Sequence, residues 1–391
     1  MDIRDVLLGP GYLHHKRLIQ QSRQWSLTEI AHYQETRIAR LTRRYGDTIT
    51  VKDDYRRYPG KFARWALPPL TYDIHTGGST YAPLFFKGDT LIRRQKECAY
   101  IFDIWSEVGY KPYDLRVMYR DDTSEQLIRF NRMPNVWVIS PQATTEGRLA
   151  ELRLWIRTIP PFFLHIYPSA VYPFIDLLGD DLFRSLPIRG VLAGSESFPL
   201  GERRQFELEY GIRIAHWYGH SEYAALAYAC RDCDGFHFYP TYGAVEMQPS
   251  DTEHVWRIVA SSFNRIGTQF VRYDTEDMAT SPHGTCATTN YPRVGEILGR
   301  AAETFVDRYG RKRAVLAYVP GCEGGFWDGI RDMQFLQKSA GRLEIKLVVE
   351  GDSYKETIEE TFLRTMPMVD LHFEYVGEIA RRPNGKRQYV V

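Results

Sequence analysis

Residues 190–222, GVLAGSESFPLGERRQFELEYGIRIAHWYGHSE, leave this chain few folds to choose from. An apolar strand (Val191, Leu192, Ala193) runs into a Gly194-Ser195-Glu196 turn. A helix follows over residues 201–210, and a second strand (Ile212, Ile214) ends at Tyr218-Gly219-His220-Ser221-Glu222. Strand, turn, helix and strand in this order mark an α/β sheet, and turns at strand ends are where such sheets place ligands. The second turn carries an aromatic ring, a glycine, a hydroxyl and a carboxylate within five residues. Those groups stack a base, admit backbone close to a phosphate, bond one of its oxygens and hold a magnesium ion. The residues by themselves therefore read as a nucleotide or phosphate site in an α/β protein.

Composition narrows the class. At 391 residues the chain buries a large core, and the length predicts two domains or one large α/β domain with an appendage. A content of 43% hydrophobic and 14% aromatic residues excludes a disordered chain. Fifty basic against 49 acidic residues create no global field that draws in nucleic acid or a membrane. The first residues, MDIRDVLLGPGYLHHKRL, lack the charged-then-apolar layout of a signal peptide, and no window approaches a membrane span; a cytoplasmic location is expected. Five cysteines, an odd number, argue against a disulfide framework and for reduced thiols that leave room for a metal site.

Along the chain, residues 1–57 read as a helical lead-in with Ile30, Tyr33, Ile38 and Leu41 on one buried face. Thr76, Gly77, Gly78, Ser79 and Thr80 form a glycine- and hydroxyl-rich loop whose backbone N–H groups suit a polyphosphate. A helix is expected over 91–108, short strands over 115–119, 127–130 and 135–140, and a helix over 144–157. The strand 162–169 breaks at Pro168 and carries His165, Tyr167 and Ser169. Cys230, Cys233 and His237 fall within eight residues, a spacing that suits zinc, although free thiols beside a surface histidine give the same spacing. Residues 270–277, FVRYDTED, enter a turn, and 315–319, 343–349 and 371–376 read as strands with a helix at 354–364. Asn384-Gly385 is a hairpin signal, followed by Lys386.

On the Tyr218–Glu222 motif and the Gly-Ser-Glu turn before it, the chain resembles the phenylacetate-CoA ligase branch of the adenylate-forming superfamily, over about residues 71–391. The resemblance implies an α/β fold: a large N-terminal domain of β-sheets and helices over 1–300 with a small, mobile α+β C-terminal lid over 301–391. It implies ATP-dependent activation of a carboxylic acid, aromatic in this branch, as an acyl-adenylate, followed by transfer to coenzyme A, a carrier-protein thiol or an amine. Thr76–Thr80, Gly194, Ser195, Glu196, Tyr218 and Gly219 would hold ATP, Asp277 its ribose hydroxyls and Arg300 its ribose or phosphate. Glu222 would hold Mg2+, with Ser221 on phosphate and Lys386 pairing with the reacting carboxylate and α-phosphate. His165, Tyr167, Ser169 and His220 would line the acid pocket. Cys230 and His237 match the branch's zinc spacing, with Cys286 near its later cysteine pair and Cys233 supplying the fourth ligand.

Several positions depart from the family pattern. Tyr81 and Ala82 replace a glycine and a lysine of the phosphate loop, which weakens its grip on ATP or shifts the charge to Lys87. Asp274 replaces an arginine, and Ala301-Ala302 stand where the hinge is usually acidic. Two other classes stay open on the sequence: a non-catalytic member of the fold, and an unrelated zinc-containing α/β hydrolase built on Cys230, His237 and Cys286.

Overall fold

The computed structural model describes residues 3–64, 70–75, 84–90, 92–120, 124–141, 143–250, 252–282, 286–300, 304–310, 312–315, 318–319, 326–327, 329–380 and 390–391. The phosphate loop expected at 76–80, with Tyr81 and Ala82, and Lys386 with its hairpin lie outside these residues. The chain forms two compact units: one of Met1–Ile104, Trp217–Ser250 and His254–Ile297, the other of Trp105–His216, Asp251–Glu253 and Leu298–Val391. Among the described residues no helix is long and apolar enough to cross a membrane.

The second unit is built on parallel strands. Arg116–Tyr119 lies between Val136–Ile139 and Phe162–Ile166, parallel to both, and Ile188–Gly194 adds beyond Phe162–Ile166. Strand Phe162–Ile166 is buried at every position, as a parallel strand covered on both faces requires. Leu164, Ile166, Val191, Phe174 and Phe206 are fully buried in the core around it. The chain leaves Arg116–Tyr119 toward one neighbour and later returns to the other, so this strand is a topological switch point. Ligands collect at the carboxyl ends of strands there.

Helix Leu200–Tyr210 forms where the sequence predicts it and stops at Gly211, whose φ of 66° only glycine adopts cheaply. Its Gly201 has a packing reason: a Cβ at this position would lie 1.9 Å from the Trp327 indole nitrogen. Arg331 of the same C-terminal segment lies 4.4 Å over the Tyr172 ring and 3.5 Å from Glu209. Gly201→Ala is therefore expected to destabilise the protein by about 1–3 kcal/mol through overpacking, read from the midpoint of denaturant unfolding.

The C-terminal part of this unit is a sheet in which Ile330–Ser339 pairs antiparallel with Arg342–Val349, itself parallel to Asp370–Tyr375. Helix Lys355–Thr365 supplies the crossover that a parallel pair requires. Of the strand expected at 315–319, the described residues Val315, Tyr318 and Val319 lie outside any strand. The strand runs Lys312–Ala314 instead, and the Tyr318 N–H turns back to the Val315 carbonyl.

In the first unit, Gly243–Pro249, Val255–Ser262 and Tyr273–Thr280 form an antiparallel sheet. The turn that residues 270–277 were expected to enter is a β-bulge inside Tyr273–Thr280: Asp274 pairs with Val259 and Met278 with Arg257. Glu276 takes φ 65°. Short side chains brace the bulge, Asp274 Oδ1 accepting the Glu276 N–H and Thr275 Oγ1 the Asp277 N–H. The helical lead-in supplies Tyr55, whose ring packs 4.6 Å from Phe270 and 5.5 Å from Tyr273.

Candidate active site

Strand Ile214–Gly219 delivers the motif. Gly219 faces Leu226 and Tyr218 faces Ala227 in an antiparallel ladder that fixes the turn's origin. The Tyr218 hydroxyl donates to Asp277 Oδ2 at 2.7 Å. Glu222 is buried, and both of its oxygens are engaged: Oε1 accepts from the Tyr273 hydroxyl at 2.9 Å, Oε2 from His220 Nδ1 at 3.1 Å. Burial alone would push this carboxyl up. The hydrogen bond and proximity of the His220 ring, the backbone N–H and the Tyr273 hydroxyl outweigh it and hold the carboxyl at about 2. Three donors take three of the carboxylate's four lone pairs, which leaves one for a metal. Glu222 thus fits a magnesium ligand, since magnesium takes one or two ionised carboxylates beside substrate phosphates and water. Ser221 is exposed. His220, expected in the acid pocket, bonds Glu222, and among the described residues nothing bonds its Nε2.

A second set of expected residues gathers in the other unit. His165 Nε2 lies 3.1 Å from Arg120 Nη1. Arginine can only donate, so Nε2 accepts and the proton sits on Nδ1. Burial first, then Arg120 and Arg116, hold this imidazole well below its usual pKa and therefore neutral. Arg120 also donates to Ser195 Oγ at 3.2 Å and stacks 4.1 Å over the Tyr167 ring. The Ser169 N–H donates to Glu196 Oε2 at 3.1 Å, which joins the Pro-Ser step to the Gly194-Ser195-Glu196 turn. The Ser169 hydroxyl is buried without a partner among the described residues. Sequence reading missed Arg120. The available signal was its place directly after the switch-point strand.

Cys230, Cys233, His237 and Cys286 converge, their ligand atoms all within 4.8 Å of one another. Cys230 Sγ is 3.9 Å from Cys286 Sγ, near the edge of about 3.8 Å that a tetrahedron with Zn–S of about 2.3 Å demands. Cys233 Sγ is 3.3 Å from His237 Nε2, while His237 Nδ1 faces the Tyr291 carbonyl, the outer partner that leaves Nε2 for a metal. The donor set fits zinc.

Two other expectations are only partly visible. Arg300 ends strand Ile297–Arg300. Lys87 pairs with Asp73 at 2.7 Å across the hairpin of Thr71–His75 and Phe85–Asp89, so its charge already has a partner.

Solved structures of similar shape were found for nearly the whole chain. A 2-hydroxyisobutyryl-CoA ligase in the postadenylation state is 14% identical over 99% of this chain and 86% of its own, with a TM-score of 0.60 for one acyl-AMP complex and 0.57 for another. The chain has the adenylate-forming fold. An anthranilate CoA ligase with bound anthranoyl-AMP shares this fold at 11% identity, over 80% of this chain and 64% of its own, with a TM-score of 0.50. Residues 312–391 match the family described as the CapK C-terminal domain. No curated protein matches the sequence.

Proposed function

We propose that this chain uses ATP to activate a carboxylic acid as its acyl-adenylate and passes the acyl group to a thiol such as coenzyme A, in the manner of a phenylacetate-CoA ligase. The observation that carries the reading is the pair of carboxylates, Glu222 and Asp277, each fixed by a tyrosine hydroxyl around the Tyr218–Glu222 turn of an adenylate-forming fold. A carboxylate is a poor electrophile because a nucleophile would have to expel oxide. Its oxygen instead attacks the α-phosphorus of ATP, the bond to the bridging oxygen breaks, and pyrophosphate leaves with that electron pair. Catalysis of such a step is positioning and charge compensation.

Each group has one task in this scheme. Asp277 accepts the ribose hydroxyls, because two donors on one ring edge suit a carboxylate. Glu222 would hold Mg2+, which offsets phosphate charge when bound. The loop 76–80, Ser195 and Ser221 bond phosphate oxygens, and Arg300 reaches the nucleotide. His165, Tyr167 and Ser169 line a pocket for an aromatic acid, with Arg120 holding His165 and Tyr167 in place. The segment 301–391 serves as the lid, consistent with the separate C-terminal domain family that matches 312–391. Pyrophosphate exchange into ATP, measured across a panel of aryl and alkyl acids, tests the reading. Acid-dependent exchange is expected, and its absence with every acid would refute it.

The Cys230, Cys233, His237 and Cys286 cluster is proposed as a closed structural zinc site, since it holds soft ligands and no carboxylate. Its place explains its purpose. Tyr228 pairs with His237 on one side and with Trp217 on the other, so zinc would clamp the hairpin against which the Tyr218 turn is registered. Protein purified without chelator is expected to hold about one zinc per chain, and Cys230→Ser to lose it and lower the thermal midpoint. A zinc content near zero in the unaltered protein would show ordinary thiols.

A further inference from the structure

The two hydrogen bonds that fix the site's carboxylates are reciprocal. Tyr218, on the turn, donates to Asp277 on the strand, while Tyr273, on the strand, donates to Glu222 on the turn. Turn and strand are thus joined at two points by residues more than fifty positions apart in sequence. We propose that Tyr218 and Tyr273 are positioning residues that couple Asp277 to Glu222, so that ribose recognition and metal holding respond to each other. This rests on the functional reading above, in which Asp277 takes the sugar and Glu222 the metal.

The surroundings make the link stiff. Tyr273 is buried, and its ring is held by Tyr55 and by Phe270 at 5.0 Å. Tyr218 meets Phe238 edge-on at 6.0 Å. Between Tyr273 and Asp277 lies only the braced bulge, in which Thr275 accepts from the Asp277 N–H and donates to the Ile258 carbonyl at 2.8 Å. Between Tyr218 and Glu222 lie three residues. A shift of Asp277 toward a sugar hydroxyl therefore pulls on Tyr218, and through a short turn on Glu222. Coupling of this kind is a free energy shared by two sites and is reciprocal.

Calorimetric binding of ATP and of 2′-deoxy-ATP at several Mg2+ concentrations, with Tyr218→Phe, Tyr273→Phe and the double variant, tests the link. Tyr273→Phe leaves the ribose contact untouched, yet it is expected to reduce the preference for ATP over 2′-deoxy-ATP by about threefold or more. Tyr218→Phe is expected to raise the Mg2+ concentration needed for half-maximal binding by a similar factor. One bond to a charged group is worth about tenfold or more by itself, and the double variant is expected to lose less than the product of the singles by about threefold. Should Tyr273→Phe fold poorly, Thr275→Val loosens the bulge and removes a hydroxyl from beside Tyr218 while leaving Tyr273 in place, and it is expected to raise the Mg2+ requirement too. Variants that each move only their own end, with effects that multiply, overturn the coupling even where the unaltered protein binds ATP and exchanges pyrophosphate. An unaltered protein that binds no ATP overturns both this inference and the reading beneath it.

Discussion

Glu222→Ala is expected to slow acyl-adenylate formation by about a hundredfold, the scale of losing one preorganised charge-stabilising group. The reason is visible in the carboxylate's environment. Burying an anion is costly, and the structure meets that cost with a tyrosine hydroxyl, an imidazole N–H and a backbone N–H, which hold the carboxyl at about 2 and keep it ionised at neutral pH. A side chain held this way is a fixed negative charge facing the turn, which suits a cation placed against phosphate. Its folded pKa is depressed, so the stability it contributes is present above the unfolded carboxyl range near 4.3 and is lost as pH falls toward 2. Glu222→Gln separates the two roles: the amide keeps the volume and one acceptor, and it removes the charge. Single-turnover adenylation at graded Mg2+ checks this, with Gln expected nearly as slow as Ala. An unchanged rate and Mg2+ dependence in either variant would remove Glu222 from the chemistry.

What was legible in the sequence was local. The strand, turn, helix and strand of residues 190–222 declare themselves through apolar runs, a glycine at the helix end and a five-residue motif, all within reach of neighbour-to-neighbour rules. The cysteine and histidine spacing is likewise local for three ligands, and the fourth, Cys286, came from the resemblance. What stayed hidden depends on pairing between distant segments. Tyr273 reads as one aromatic in a run entering a turn until the sheet places its hydroxyl 2.9 Å from Glu222. Arg120 reads as one more charge after a short strand until the parallel order of three strands puts it at the switch point. The run 270–277 reads as entering a turn, whereas the structure holds a bulge at Asp274–Asp277. Here the same side chains brace an irregular strand, and only the register distinguishes the two.

Lys386→Ala is expected to divide the two half-reactions, reducing acyl-adenylate formation by about a hundredfold or more while leaving transfer from a supplied acyl-adenylate to thiol within about threefold. When a carboxylate approaches the α-phosphate, negative charge crowds onto a few oxygens, and a single cation placed there lowers the barrier. The transfer step starts from an anhydride already formed, so the same cation has little left to offset. Beyond Lys386 the last residue is tied down: the Val391 N–H donates to the Phe335 carbonyl at 2.9 Å, and the Gln337 N–H donates to the Val391 carbonyl. Val390 and Val391 thus belong to the C-terminal sheet. Tying the end down also yields a control, because Val391 deletion loosens the anchor and leaves the lysine's charge intact. If position matters as much as charge, the deletion variant is expected to lose adenylation in the same sense as Lys386→Ala, and by less. Equal losses in both half-reactions for Lys386→Ala would show that the residue only holds the sheet together, and no loss in either would place it in solvent.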